Sequence, residues 1–308
     1  DLVALAQTGT GKTAAFGFPL IQKIDPENRN TQALILSPTR ELCLQITNGI
    51  KDYSKYIKGL HTVAVYGGAS ITEQARDIKR GAQIIVATPG RMQDMINRGL
   101  VNISQIDYCI LDEADEMLNM GFYEEIVNLL STTTDEKSKW LFSATMPQEV
   151  SRIAKQFMHD PIEITVGAKN SGSATVSHEF YLVNARDRYE ALKRLADSNP
   201  DIFSVVFCRT KRDTQQVAER LIEDGYSAAA LHGDLSQAQR DSVMKSFRGR
   251  QIQMLVATDV AARGIDVDNI THVVNYQLPD EIETYNHRSG RTGRAGKLGT
   301  SIVIVTKS

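Results

Sequence analysis

Short apolar runs, many of them β-branched, recur along the chain between longer stretches whose apolar residues fall at helical spacing. In the first half the runs at 3–6, 33–36, 62–65, 84–87, 108–111 and 140–142 read as strands. Helical patterns lie between them, for example at 41–53 and 71–79. A strand apolar at every position must be covered on both faces, which predicts a mostly parallel sheet flanked by helices. The segment Val166-Gly-Ala-Lys-Asn-Ser-Gly-Ser-Ala-Thr175 interrupts this alternation and has the composition of a flexible linker. The alternation then restarts, with strands expected at 180–183, 204–208, 228–231, 253–257, 272–275 and 301–305. The halves echo each other. Residues 33–41 (ALILSPTRE) resemble 204–212 (SVVFCRTKR), and 83–88 (QIIVAT) resemble 253–258 (QMLVAT). The expectation is an α/β chain of two tandem domains of one kind, 1–165 and 176–308, joined by a linker at 166–175.

Length agrees, since 308 residues suit two domains better than one. No apolar run approaches the roughly 20 residues that span a bilayer, so no membrane partner is expected. The start, Asp1-Leu2-Val3, carries neither a Met nor a basic leader-like segment, which reads as a fragment of a longer protein. Cys43, Cys109 and Cys208 are widely spaced among apolar neighbours, which predicts buried, reduced thiols and a cytoplasmic protein. The histidines stand singly, so no structural zinc is expected. A net charge of −2 gives no overall basic field, so any nucleic-acid partner would have to be gripped by local features.

Such features exist. Ala6-Gln7-Thr8-Gly9-Thr10-Gly11-Lys12-Thr13 follows a strand and opens a helix, the setting of a phosphate-binding loop, although Ala6 stands where the usual pattern begins with Gly. Small residues let backbone amides close around phosphates, and the helix adds its positive end. Lys12 would reach the outer phosphates of a nucleotide, and Thr13 would ligate Mg²⁺. A second strand ends in Asp112-Glu113-Ala114-Asp115, at the carboxyl edge where α/β proteins bind ligands. Asp112 suits Mg²⁺ through water, and Glu113 suits activation of an attacking water.

Asp112-Glu113-Ala114-Asp115 is the tetrad that names the DEAD-box helicases. Further motifs similar to that family's follow in order along nearly the whole chain: Pro38-Thr-Arg-Glu-Leu42, Gly67-Gly68, Thr88-Pro-Gly-Arg91, Ser143-Ala-Thr145, Val206-Phe-Cys-Arg-Thr210, Leu231-His-Gly-Asp234, residues 257–266 (ATDVAARGID) and residues 287–294 (HRSGRTGR). The resemblance implies two RecA-like lobes, an ATP-dependent RNA helicase, and ATP with Mg²⁺ as its nucleotide and ion. It implies that Gly264 and Asp266 meet the nucleotide from the second lobe, and that Arg291 and Arg294 are arginine fingers. It implies that Asp115, Ser143, Thr145 and His287 couple the lobes. For Arg288 a contact between lobes and an ion-pair network with a neighbouring helix both stay open. The family's adenine-reading segment would stand upstream of Asp1.

Pro38, Thr39 and Arg40, Gly67 and Gly68, and Thr88, Pro89, Gly90 and Arg91 follow strands of the first half, as Arg209, Gly233 and Thr258 do in the second. Amides, hydroxyls and single arginines suit phosphates without reading bases. Aromatic residues do not cluster beside these turns in sequence, so no base-stacking platform is expected. RNA rather than DNA is what the resemblance implies, on single strands and short duplexes, for a protein expected to be a monomer. Competing readings are a DNA translocase, an ATP-gated RNA clamp and a kinase; paired arginines in a second lobe have no place in the last. Contact along the backbone predicts RNA affinity that falls with salt, by about 0.7 in the log–log slope per phosphate neutralised, and varies little with base sequence. Anisotropy titrations at several salt concentrations check both; a flat salt response would exclude a phosphate-binding strip.

Overall fold

The computed structural model describes residues 1–7, 10–133, 137–166, 175–265, 267–293 and 297–306. Two compact units divide the chain, Asp1–Ser171 and Gly172–Ser308. The expected linker lies almost entirely outside the described residues.

The first unit contains β1 (Leu2–Leu5), β2 (Ala33–Leu36), β3 (Thr62–Val65), β4 (Ile84–Ala87), β5 (Tyr108–Leu111), β6 (Ser138–Ser143) and β7 (Ile162–Thr165). They form one sheet in the order β3-β4-β2-β5-β6-β1-β7, and every pairing is parallel. Alternation along each strand feeds two cores. Leu34 and Leu36 of β2 join Ile85, Leu111 and Leu141 on one face, while Ala33 and Ile35 join Phe16, Leu20, Ile46 and Ile50 on the other. All four β2 residues are fully buried, which is why the run is apolar throughout.

The second unit contains β8 (Val176–Val183), β9 (Ser204–Phe207), β10 (Ala228–Leu231), β11 (Met254–Ala257), β12 (His272–Asn275) and β13 (Gly299–Thr306). Its order is β10-β11-β9-β12-β13-β8, again all parallel, with a core on each face. Aligned slot by slot, the two sheets share one order: β10 stands where β3 does, β11 where β4 does, β9 where β2 does. The two sequence echoes pair β2 with β9 and β4 with β11, and each pair occupies the same slot.

The larger differences from expectation fall at sheet edges, while the interior strands β6 and β13 run up to two residues beyond their expected bounds. β7 was not expected, because Ile162-Glu-Ile-Thr165 alternates instead of running apolar, and all four residues are exposed. β8 begins at Val176 rather than 180, because its first half includes exposed Ser177, His178 and Glu179. Edge strands lack the second neighbour that makes a continuous apolar run worthwhile. Among the described residues no helix is long and apolar enough to cross a membrane.

Central and edge strands should therefore differ in mutational cost. Ile35→Ala is expected to destabilise the first unit by about 2–4 kcal/mol through lost burial and a residual cavity. Ile162→Ala, on the exposed edge, should cost under about 0.5 kcal/mol. Urea midpoints of the two variants check this; equal costs would mean that the β7 face is covered.

Candidate functional site

In the first unit, parallel pairing brings the carboxyl ends of β1 and β5 to the same edge, on either side of β6. After β1 come the phosphate-loop residues. Ala6 and Gln7 are described, Thr8 and Gly9 are not, and Thr10 donates its hydroxyl to the Gln7 carbonyl at 2.8 Å. Gly11 caps the helix Lys12–Lys23 with φ +86°, a backbone state that requires glycine, and the space where its Cβ would stand is open. Lys12 is 9% exposed, and its Nζ donates to the Ala6 carbonyl at 3.1 Å. Thr13 follows on the first turn of the same helix.

After β5 the chain bends sharply. Glu113 has φ 51°, ψ 52°, left-handed values that are strained for a residue with a side chain. That bend starts the helix Ala114–Asn119 and buries Asp112, Glu113 and Asp115 together. Their hydrogen bonding differs. The Asp115 carboxylate accepts from the amide (2.9 Å) and the hydroxyl (2.7 Å) of Thr145 and from the Glu116 amide (3.1 Å), while its own amide donates to the Ser143 hydroxyl at 3.2 Å. Asp115 is therefore bonded directly to the 143–145 segment, within the first unit. Asp112 accepts from the Glu113 amide at 3.0 Å. The Glu113 Oε2 is buried and has no hydrogen-bond partner among the described residues. Burial pushes the Asp112 carboxyl up to about 6; Lys12 opposes the rise and the neighbouring Glu113 reinforces it.

Oxygen donors suit Mg²⁺, and Thr13 with Asp112 fit the usual pattern of one or two protein oxygens completed by phosphates and water. Among the described residues no group of three or more His, Cys, Asp or Glu forms a metal cage of its own.

The three turns that suggested a phosphate strip in this unit follow β2, β4 and β3, which are neighbours at one side of the sheet. Arg91 ties two of them together, donating to the Ala69 carbonyl at 3.0 Å and the Gln74 side chain at 3.2 Å. Several candidates have structural work as well. Thr39 caps the helix Arg40–Tyr53 through its hydroxyl, Pro89 is buried at the first turn of the helix Pro89–Asn97, and Pro38 is buried. Thr88 is the cap residue of that second helix without a side-chain bond. Gly67 and Gly68 are exposed, and Gly68 has φ +79°. Two single rings stand beside these turns, without forming a cluster. The Arg40 guanidinium lies over Tyr66 at 4.9 Å, and Phe122 lies 3.8 Å from where a Cβ on Gly90 would be. Tyr66 directly precedes Gly67, whereas Phe122 lies more than thirty residues along the chain from Gly90, a distance that hid it.

In the second unit the loop-bearing ends of β10, β11 and β9 are likewise adjacent. Gly233 lies against Lys211, which pairs with Asp234 at 2.6 Å. Thr258 caps the helix Asp259–Ala262. Arg209 is exposed and engages the Leu278 carbonyl and Asp280 at 2.6 Å. The arginine segment follows β12, the slot of β5. Arg288 is 2% exposed, grips Asp259 with two bonds of 2.6 and 2.7 Å, donates to Asn275 and Gln277, and lies over Phe207. The ion-pair reading thus accounts for Arg288, within its own unit. Arg291 is 8% exposed, and its Nη1 donates to the Ile265 carbonyl at 3.1 Å. Gly264, just before, has φ +71°. His287 lies half-buried on the helix Ile282–Ser289. Asp266 and Arg294 lie outside the described residues. Asp259 and Ile265 were missed as holders of the arginines; Asp259 stood in a quoted motif as a lone charge among small residues, whereas a backbone carbonyl leaves no sequence signal.

Residues 1–153 match the family model for the DEAD/DEAH box helicase, and residues 187–296 match that for the helicase conserved C-terminal domain. The chain is 47% identical over 305 residues to the ATP-dependent RNA helicase CshA of Listeria monocytogenes, covering 99% of this chain and 58% of that protein. To the DEAD-box ATP-dependent RNA helicase CshA of Bacillus subtilis it is 44% identical over 306 residues, covering 99% and 62%. It thus spans about three fifths of the length of these relatives. Among solved structures, Saccharomyces cerevisiae Dbp5 bound to RNA and ADP BeF3 superposes with a TM-score of 0.89 at 30% identity, covering 100% of this chain and 80% of that one. A DEAD box protein from Methanococcus jannaschii gives 0.58 at 45% identity, covering 100% and 82%.

The raised Asp112 carboxyl has a sign that can be checked. The folded state holds that proton more tightly than the unfolded chain, so this group lowers stability as pH rises from about 4 to about 6, and the penalty persists above. Asp112→Asn should therefore raise the unfolding free energy at pH 7.5 by an amount on the order of 1–2 kcal/mol, seen as a higher urea midpoint, and change little at pH 4. A midpoint lowered at pH 7.5 would mean that Lys12 overcompensates the burial.

Proposed function

The chain belongs to the DEAD-box helicase family, and from that premise we propose that it is an RNA-stimulated ATPase that separates short RNA duplexes. The observation that carries the proposal is the pairing of the Gly11–Lys12 loop with Glu113, a buried carboxylate in a strained backbone whose Oε2 has no hydrogen-bond partner among the described residues. A carboxylate held in this way has an acceptor to offer a water molecule.

The first-turn amides and Lys12 grip the nucleotide phosphates. Glu113 orients the attacking water and takes its proton. Thr13, and Asp112 by way of water, would hold Mg²⁺, which would supply positive charge to the nucleotide phosphates. Gly264 and Asp266 meet the nucleotide from the second unit. Arg291 and Arg294 supply positive charge where it develops on the transferred phosphoryl group. Asp115, through Ser143 and Thr145, with His287, relays the nucleotide state to the RNA-binding turns. RNA is held by its sugar-phosphate backbone at Pro38, Thr39, Arg40, Gly67, Gly68, Thr88, Pro89, Gly90 and Arg91 and at Arg209, Gly233 and Thr258. Helix N-termini at several of these turns support that reading, because their amides suit phosphates whatever the base. Three buried free thiols support a reducing, cytoplasmic setting for a monomer.

Three variants test the assignment by nucleotide affinity and steady-state turnover with and without RNA. Lys12→Ala is expected to weaken nucleotide binding. Glu113→Gln should bind nucleotide and turn over almost none. Arg291→Ala should lose about 10³-fold or more of the RNA-stimulated rate with a smaller change in binding. Equal affinity losses in Lys12→Ala and Glu113→Gln, or RNA stimulation surviving in Arg291→Ala, would contradict the mechanism.

A further inference from the structure

The loop that bears Arg291 is short and has a glycine on either side, Gly290 and Gly293. Its own backbone cannot fix a guanidinium to the fraction of an ångström that charge stabilisation demands. It is instead held by ties to other segments of the second unit. Arg288, one helical turn before, is locked onto Asp259. Arg291 itself leans on the Ile265 carbonyl. Thr292 donates its hydroxyl to the Ile270 and Thr271 carbonyls at 2.5 and 3.2 Å. The tie on the far side comes from an unexpected place. Thr175, at the start of the described part of this unit, donates its hydroxyl to the Gly293 carbonyl at 2.5 Å.

The contact is close as well as polar. Gly293 has φ +67°, and a Cβ built on it would stand 2.5 Å from Val176 Cγ2 and 2.9 Å from Thr175 Oγ1. Thr175 also accepts from the Gly299 amide at 3.0 Å, so one residue bridges the arginine loop and the start of β13. Three residues further on, His178 shares a 2.6 Å hydrogen bond with Tyr285 on the helix Ile282–Ser289. β8 is an edge strand exposed from Ser177 to Leu182; Val183 is half-buried at its end, and only Val176, the residue pressed on Gly293, is fully buried. Val176 packs beside Gly293 and pairs with Gly299, so the arginine loop is one of its covering neighbours.

We propose that Thr175 is a positioning residue for Arg291: its hydroxyl, bonded to the Gly293 carbonyl, sets where the arginine loop stands. The inference rests on the reading of Arg291 as the residue that acts on the nucleotide. It predicts an effect on turnover and not on nucleotide affinity, because the phosphate grip belongs to Gly11 and Lys12 of the other unit.

The experiment compares Thr175→Val, which keeps the shape and loses the donor, with Thr175→Ser, which keeps the donor, in the full chain at saturating RNA. Thr175→Val is expected to lower kcat about 3- to 10-fold, the worth of one neutral hydrogen bond, with KM for ATP unchanged within about twofold. Thr175→Ser should recover most of the lost rate. Val176→Ala, which removes packing but keeps the hydroxyl, should lower the melting temperature and leave kcat within about twofold. A parent-like kcat in Thr175→Val overturns the proposal, as does a Thr175→Ser as slow as Thr175→Val, or a Val176→Ala that loses as much rate. Arg291→Ala, run beside them, separates the two levels. If it is inactive while Thr175→Val is unaffected, the tie is wrong and the role of Arg291 stands; if Arg291→Ala turns over normally, both fall.

Discussion

Parallel pairing is the constraint from which the rest follows. Every ladder in both sheets is parallel, so every strand delivers its carboxyl end to the same edge of its unit. Helices that begin there turn their positive ends the same way, as those starting at Lys12, Arg40, Pro89 and Ala114 do. An edge lined with amide donors attracts anions before any side chain is considered. Strand order then decides which anion-binding turns lie together. β1 and β5 flank β6 and bring phosphate loop and carboxylates to one region, while β3, β4 and β2 gather the glycine, threonine and arginine turns into another.

Within each unit the charged residues divide into anchors and working groups. Asp115 has its carboxylate saturated by Thr145 and Glu116, whereas Glu113 keeps an oxygen without a hydrogen-bond partner among the described residues. Arg288 spends its guanidinium on Asp259, Asn275 and Gln277, whereas Arg291 makes one side-chain bond among the described residues, to a backbone carbonyl. A saturated ion is held in place by its bonds and has little left for a ligand; an undersaturated one can bind but needs neighbours to hold it. The anchor stands within three residues of the working group in both units, which supplies that support locally.

The buried strands were legible because a run such as Ala33–Leu36 or Tyr108–Leu111 has only one environment that suits it, the middle of a parallel sheet. Edges were less so: β7 and the first half of β8 carry Glu163, Ser177 and Glu179, and their order comes from a single partner strand. At the site, the phosphate loop and the Asp112-Glu113 bend could be placed from spacing, because glycine and charge at a strand's end have few other uses. What could not be read was division of labour among like residues. Nothing in His287-Arg-Ser-Gly-Arg291 says that the first arginine faces Asp259 and the second Ile265, since that depends on the side of a helix and on residues some thirty positions away. The tie from Thr175 to Gly293 spans 118 residues and leaves no pattern at all.

The shared strand order carries an implication about inheritance. Where β1 leads into a phosphate loop, its counterpart β8 leads into Asn184 and the single turn Ala185–Asp187, with neither glycine nor lysine. Where β5 leads into carboxylates, β12 leads toward arginines. Two copies of one scaffold have thus taken opposite signs of charge at the same address. One carries a glycine-lysine loop and carboxylates at its strand ends, the other arginines, while both keep buried apolar strands between. Differences confined to the loops leave the sheet's packing intact, so one scaffold can present unlike chemistry at matching strand ends.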